Sequence, residues 1–197
     1  SGSARIGKRV VLSSWSTEYR RNYPDGKQPM PTISTIETIT HLEHGMAALA
    51  AAHPDWNTIC AVSGCPPLRR REGGFAGLAG IIVSQQVSVA SARAIWARVE
   101  AHVTPLTPEG FLAASDETLR LAGLSRPKQR TLRAISAAII DGTLDLEALR
   151  QCTPEEVQTR MTAVSGIGPW TADIYLLFCL GHADAFIGHR QIEAEAV

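Results

Sequence analysis

The chain has 197 residues, of which 45% are hydrophobic, 19% charged and 6% aromatic. A chain of this length buries roughly 70% of the surface its unfolded form exposes, so it holds a core without disulfides or a structural metal, and its composition excludes collagen-like, disordered and disulfide-scaffold classes. Nineteen Lys and Arg against nineteen Asp and Glu give zero net charge, a total that argues against a nucleic-acid partner, and no apolar run reaches the roughly 18 residues a membrane helix needs.

The charge is unevenly placed. Residues 1–29 carry six basic and two acidic side chains, leaving 13 basic and 17 acidic ones after them. Ser1-Gly2-Ser3 reads as a cloning remnant and the rest of 1–29 as a tag, leader or loose arm, without the charged-then-apolar pattern of a secretory signal and with Met30 as the natural start. A single domain is expected over 30–197.

From Met30 onward apolar residues recur three and four apart, which predicts an all-α chain of short helices. The first covers Ile36 to Ala52 and stops before Pro54. Phe75 to Val87 and Val89 to Val103 form two helices meeting near Gln85-Gln86. Thr107-Pro108-Glu109 and Ser115-Asp116-Glu117 each open a short helix with a capping hydroxyl and an acid in the first turn. An amphipathic helix runs from Lys128 to Ile140 and ends at Asp141-Gly142. Thr153-Pro154-Glu155-Glu156 opens another, reaching Val164. After Ser165-Gly166-Ile167-Gly168, a very apolar helix from Pro169 to Leu180 must be buried on most sides.

Sixteen of the basic residues are arginines, clustered at Arg69-Arg70-Arg71 and, with Lys128, at Arg126, Arg130 and Arg133. Each cluster suits phosphates, and equally a solvated charged face. Cys60, Cys65, Cys152 and Cys179 form no C-x-x-C pair and read as reduced, mostly core thiols of a protein of the bacterial-type cytosol or nucleoid. His41 and His44 lie one turn apart beside Glu43, but no third ligand accompanies them, so a surface helix is the better reading. Trp96 reads as core.

The segment Val164-Ser165-Gly166-Ile167-Gly168-Pro169-Trp170-Thr171-Ala172 joins two helices through Gly-Ile-Gly. Its glycines permit positive φ and close backbone approach, and a turn at a helix N-terminus presents free N–H groups that suit a phosphate. Taken alone, the turn fits interhelical packing as well. The stretch resembles the helix-hairpin-helix of base-excision DNA glycosylases, Leu-x-Gly-Ile/Val-Gly-x-x-Thr-Ala. Upstream, Leu78-Ala79-Gly80-Ile81-Ile82-Val83-Ser84-Gln85-Gln86-Val87-Ser88 is similar to the Gln-rich junction this superfamily places at the DNA minor groove. Leu121-Ala122-Gly123-Leu124-Ser125, followed by Lys128, resembles its middle turn. The three matches come in family order and are identified with the DNA-3-methyladenine glycosylase II branch, which implies the multi-helix helix-hairpin-helix glycosylase fold.

That resemblance implies a monomer that hydrolyses the N-glycosidic bond of alkylated purines, of the 3-methyladenine type, in double-stranded DNA. Trp170 occupies the place where strand-nicking members carry a Schiff-base lysine, implying a monofunctional enzyme. The cysteine spacing supplies no iron–sulfur cluster, and no cofactor is required. DNA contact falls to Gln85 and Gln86, with Gln86 as the plug into the gap, and to Gly166, Ile167, Gly168 and Thr171; the alternative for either glutamine is capping a helix end. Trp170 lines the base pocket or, alternatively, sits in the core. In the family, hairpin carbonyls hold a sodium or potassium ion, here those of Thr162, Val164 and Ile167.

The same resemblance places a catalytic Asp in a segment like Asp-x-Phe-Pro-x-Gly-Asp-Leu. Asp184-Ala185-Phe186 matches its start, then Ile187-Gly188-His189-Arg190 departs from it, and Arg190 stands where the acid belongs. A guanidinium there repels the positive charge that develops on the sugar. Asp184, Glu193 and Glu195 are nearby carboxylates that do not match, with Asp184 the fallback. The sequence also stops where the family continues into helices that close the pocket. An inactive paralogue, a frameshifted or truncated sequence, and a piece covering only the ordered part each account for this, and the abrupt loss of pattern favours the latter two. The alternative function is a non-catalytic helix-hairpin-helix DNA-binding protein.

Overall fold

A computed structural model of the chain describes residues 35–53, 55–64, 66–183 and 185. The arm expected over 1–29 lies outside them, as do Asp184 and Arg190. The chain divides into two compact units, residues 1–69 and 70–197.

In the first unit, α1 spans Ile39–Ala52 and α2 spans Asp55–Ser63. The helix starts later than its apolar spacing predicts because the Thr38 side chain accepts the His41 N–H and fixes the N-cap there. Helix α2 is not evident from the sequence, since Ile59 and Val62 are exposed and only Cys60 is buried, leaving no clear apolar stripe.

The second unit is built from α3 (Gly74–Ser84), α4 (Val89–His102), α5 (Pro108–Ala113), α6 (Asp116–Leu121), α7 (Arg126–Ile140), a 3-10 turn at Ala148–Gln151, α8 (Pro154–Thr162) and α9 (Pro169–Ile174), which widens into a π-helical turn at Tyr175–Leu180. No β-strand occurs among the described residues. Local chemistry sets most starts. Ser88, Thr107, Ser115 and Thr153 each accept an N–H of the first turn, and Thr153 forms a reciprocal capping box with Glu156. Helix α3 is the hub: Phe75, Leu78, Ala79, Ile81, Ile82 and Val83 are buried, so its sequence is apolar nearly all round.

Some of the clustered basic residues bond inward. Arg70 Nη1 donates to the Phe178 carbonyl at 3.2 Å, the Arg71 N–H donates to the same oxygen at 2.9 Å, and the Arg71 guanidinium stands 5.9 Å from the Phe178 ring centre. Widening to a π turn changes the backbone register, and these donors satisfy the carbonyl. Arg98 Nε donates to Ala122 O at 3.2 Å, closing the C-terminus of α6. Arg133 bonds Leu112 O, Ala114 O and Asp116 beyond α5. Cations at helix C-termini complement the macrodipole. Neither a solvated face nor a phosphate cluster, as weighed from sequence, describes Arg70 or Arg133, while Arg71 stays exposed with its guanidinium beside the Phe178 ring.

The unit has an alkaline limit. Tyr175 is fully buried and its hydroxyl accepts the Gly74 N–H at 3.0 Å, capping the start of α3; burial pushes that hydroxyl up from 10.0 to about 12. Burial likewise pushes the Cys179 thiol up from 9.0 to about 11. Both folded values lie above the unfolded ones, so the associated stability is fully present below about pH 9 and is lost as pH rises through 11 and 12. Each group accounts for about 2–3 kcal/mol. Urea unfolding between pH 8 and 12 should show this fall, with the tyrosine share missing in Tyr175→Phe.

Candidate nucleic-acid interface

Helices α8 and α9 form a hairpin around residues 163–168. Ile167 is 5% exposed, and its N–H donates to Val164 O at 3.1 Å, which closes the turn. Gln158 of α8 donates to the buried Asp173 carboxylate of α9, tying the two helices together. The two glycines differ in kind. Gly166 sits at φ +88, and a Cβ there would lie 2.1 Å from Thr131 Oγ1 of α7. Gly168 is the extended N-cap of α9, at φ −93 and ψ 168, and a Cβ on it would meet nothing within 4 Å. Only Gly166 needs the conformational freedom the sequence suggested for both. The open side of Gly168 leaves room for an incoming molecule.

The turn presents polar atoms outward. Among the described residues, the N–H groups of Gly166 and Gly168 meet no acceptor, while those of Thr171 and Ala172 turn back to Gly168 O at 3.0 and 3.2 Å. The carbonyls of Thr162 and Ile167 receive no protein donor among the described residues, and that of Val164 receives one, from Ile167. Trp170, in the first turn of α9, is 50% exposed, which removes its core alternative. Trp96 is partly buried against the core.

The glutamine junction lies beside this hairpin. Helix α3 ends at Ser84, earlier than its apolar pattern suggests, because Gln85 turns extended at ψ 137 and Gln86 adopts φ +55. Gln86 is the non-glycine residue at positive φ among the described residues, and it is exposed. Such a conformation costs roughly 1–2 kcal/mol for an L residue, so something must hold it. Gln85 points the other way: its Nε2 donates to Thr171 Oγ1 at 2.9 Å. Thr171 is 4% exposed, so the hydroxyl expected to reach DNA is committed to the junction instead. Lys128 Nζ donates to Val83 O and to Gln85 O, both at 2.8 Å, and burial holds its pKa below the usual lysine value.

The sequence groups Lys128 with a basic patch, and this inward role is not evident from that grouping. The signal was its identity: it is the one lysine among the described residues of an arginine-rich chain, and a compact ammonium reaches two converging carbonyls that a planar guanidinium does not. Arg126 and Arg130, one turn apart on α7, are exposed without a protein partner among the described residues. The middle turn is pinned by Gly123 at φ +87 and by Gln129 Nε2 donating to Leu124 O at 2.8 Å. No group of three or more His, Cys, Asp or Glu gathers among the described residues.

This order of elements, a glutamine junction, a glycine middle turn and a Gly-Ile-Gly hairpin, has relatives. Residues 79–191, more than half of the chain, match the HhH-GPD superfamily base excision DNA repair protein family. The chain belongs to that family. DNA-3-methyladenine glycosylase 1 of Schizosaccharomyces pombe is 28% identical over 155 residues, 75% of this chain and 68% of its own length. Among solved structures, the DNA-3-methyladenine glycosidase of Bacillus halodurans is 33% identical with a TM-score of 0.63, covering 70% of this chain and 64% of its own. The S. pombe 3-methyladenine DNA glycosylase in complex with abasic DNA is 28% identical with a TM-score of 0.64, covering 72% of each chain. The chain thus spans about two thirds of the length of these HhH-GPD relatives, and the all-α helix-hairpin-helix fold expected from its motifs is theirs.

Proposed function

We propose that this HhH-GPD chain recognises alkylated purines in duplex DNA and hydrolyses their N-glycosidic bond without cutting the strand. The observation that carries the reading is the junction of an exposed, left-handed Gln86 with a hairpin whose Gly166 and Gly168 N–H groups have no protein acceptor among the described residues, the two joined by the Gln85–Thr171 bond. A stacked base must leave the duplex before its glycosidic bond is reached. Gln86 is shaped to fill the gap left behind, and the hairpin N–H groups to bind the backbone of the lesion strand. Arg126 and Arg130 add counter-charge. The half-exposed face of Trp170 suits a cationic, alkylated purine.

The carbonyls of Thr162, Val164 and Ile167 are hard oxygen donors, two of them without a protein donor among the described residues, and they fit a monovalent cation. Such an ion would add positive charge beside the phosphate. Hydrolysis requires no further cofactor, and with Trp170 in place of a lysine no amine stands there to form the Schiff base of strand cleavage.

Bond breaking passes through an oxocarbenium-like sugar that a nearby carboxylate stabilises. Arg190 at the family's acid position favours a second reading, binding without excision. Incubation with methylated duplex separates the two: free 3-methyladenine and an alkali-labile, unnicked strand support the enzyme. Base release by Arg190→Asp alone, at least about a hundredfold above wild type as expected for a transition-state charge partner, supports a binder that has lost its acid. Strand cleavage through a borohydride-trappable intermediate would contradict both.

A further inference from the structure

Resting on that reading, we propose that Lys128 is the positioning residue for the lesion-facing amide of Gln86, holding the peptide between Gln85 and Gln86 in the orientation that makes Gln86 left-handed. The geometry is direct. The Gln85 carbonyl belongs to that peptide, whose plane is set by ψ of Gln85 at 137 and φ of Gln86 at +55. The Lys128 ammonium takes this oxygen and the Val83 carbonyl of the last turn of α3 at 2.8 Å each, so the plane is referenced to the helix it leaves. The Gln85 side chain fixes the other edge of the junction through Thr171 of the hairpin helix.

Three elements therefore converge on one exposed residue: α3 through its terminal carbonyls, α7 through Lys128, and α9 through Thr171. A strained backbone conformation persists where its surroundings over-determine it, and here the surroundings are these bonds. Charge-assisted bonds are the stronger kind, and a side chain without a donor frees the peptide to rotate toward ordinary φ. Lys128 meets no DNA in this account. It acts through Gln86, which separates its role from that of Arg126 and Arg130 on the same helix.

The test is a double-mutant cycle on the full chain, comparing wild type, Lys128→Met, Gln86→Ala and the double variant. Each is titrated with a duplex carrying one abasic-site analogue and with its undamaged counterpart, and 2-aminopurine placed opposite the analogue reports insertion. Lys128→Met should lower the preference for the abasic duplex at least tenfold while changing affinity for undamaged duplex less than twofold. In the Gln86→Ala background it should cost nothing more. Lys128→Gln, which keeps one neutral donor, carries the same cycle with a smaller loss should Lys128→Met not fold. Retained preference in a folded Lys128 variant, or losses that simply add to those of Gln86→Ala, would overturn the proposal. A wild-type chain without any abasic preference would instead sink the glycosylase reading, and this inference with it.

Discussion

Replacing Gly166 with alanine should lower the stability of the second unit by about 2–5 kcal/mol, from about 1–2 kcal/mol for a side chain at positive φ and 1–3 kcal/mol for overpacking. The geometry leaves little escape. The new Cβ would lie 2.1 Å from Thr131 Oγ1 and 2.9 Å from both Thr131 Cβ and Cγ2, and although a helical Thr has two χ1 rotamers, rotation about χ1 does not move its Cβ. Thr131→Ala in the same chain should restore part of the loss, because it removes the hydroxyl and methyl but leaves the Cβ contact. Gly168→Ala is the contrast. Its backbone is extended and its Cβ would meet nothing within 4 Å, so stability should stay within about 0.5 kcal/mol while DNA affinity falls about tenfold. Urea midpoints at constant slope, read beside anisotropy titrations, check all four chains. Equal destabilisation by both alanines would mean that Gly168 is a packing residue and not an open face.

The second large effect concerns Gln86. Gly tolerates φ +55 without the penalty that glutamine carries, although it also loosens the unfolded chain. Gln86→Gly should therefore leave stability unchanged or raise it by up to about 1 kcal/mol, yet reduce the preference for abasic over undamaged duplex at least tenfold. Gln86→Ala should show a comparable binding loss with the strain kept. A residue whose removal helps the fold and harms binding is one held in place for function. If both variants bound abasic duplex as wild type does, Gln86 would be an exposed turn residue with no part in recognition.

The legibility of these features in the sequence divides along the distance over which each is determined. Helix starts at Thr153 and Ser115 are readable because the cap and its partner lie within one turn. The hairpin is readable because Gly166 and Gly168 bracket Ile167 between two apolar helices. What each glycine does is not, since Gly166 is defined by Thr131 on another helix. Lys128 and Arg70 look like members of surface clusters, yet their partners Val83 and Phe178 are 45 and 108 residues away. Gln85 and Gln86 are adjacent and chemically identical, and only the fold turns one inward to Thr171 and the other out. Helix α2 has too weak a stripe to be seen, and the π turn at Tyr175–Leu180 reads as ordinary helix because its apolar run is buried nearly all round.

On the proposed function, the Gln86 junction and the Gly166–Gly168 hairpin together read a gap in duplex DNA. Affinity of the full chain for a duplex with a single abasic-site analogue, against the same duplex undamaged, tests it most directly across a salt series. Binding to the abasic duplex should be at least tenfold tighter, with affinity for both falling steeply as salt rises. Equal affinity for the two duplexes, or no binding to either at low salt, would contradict it.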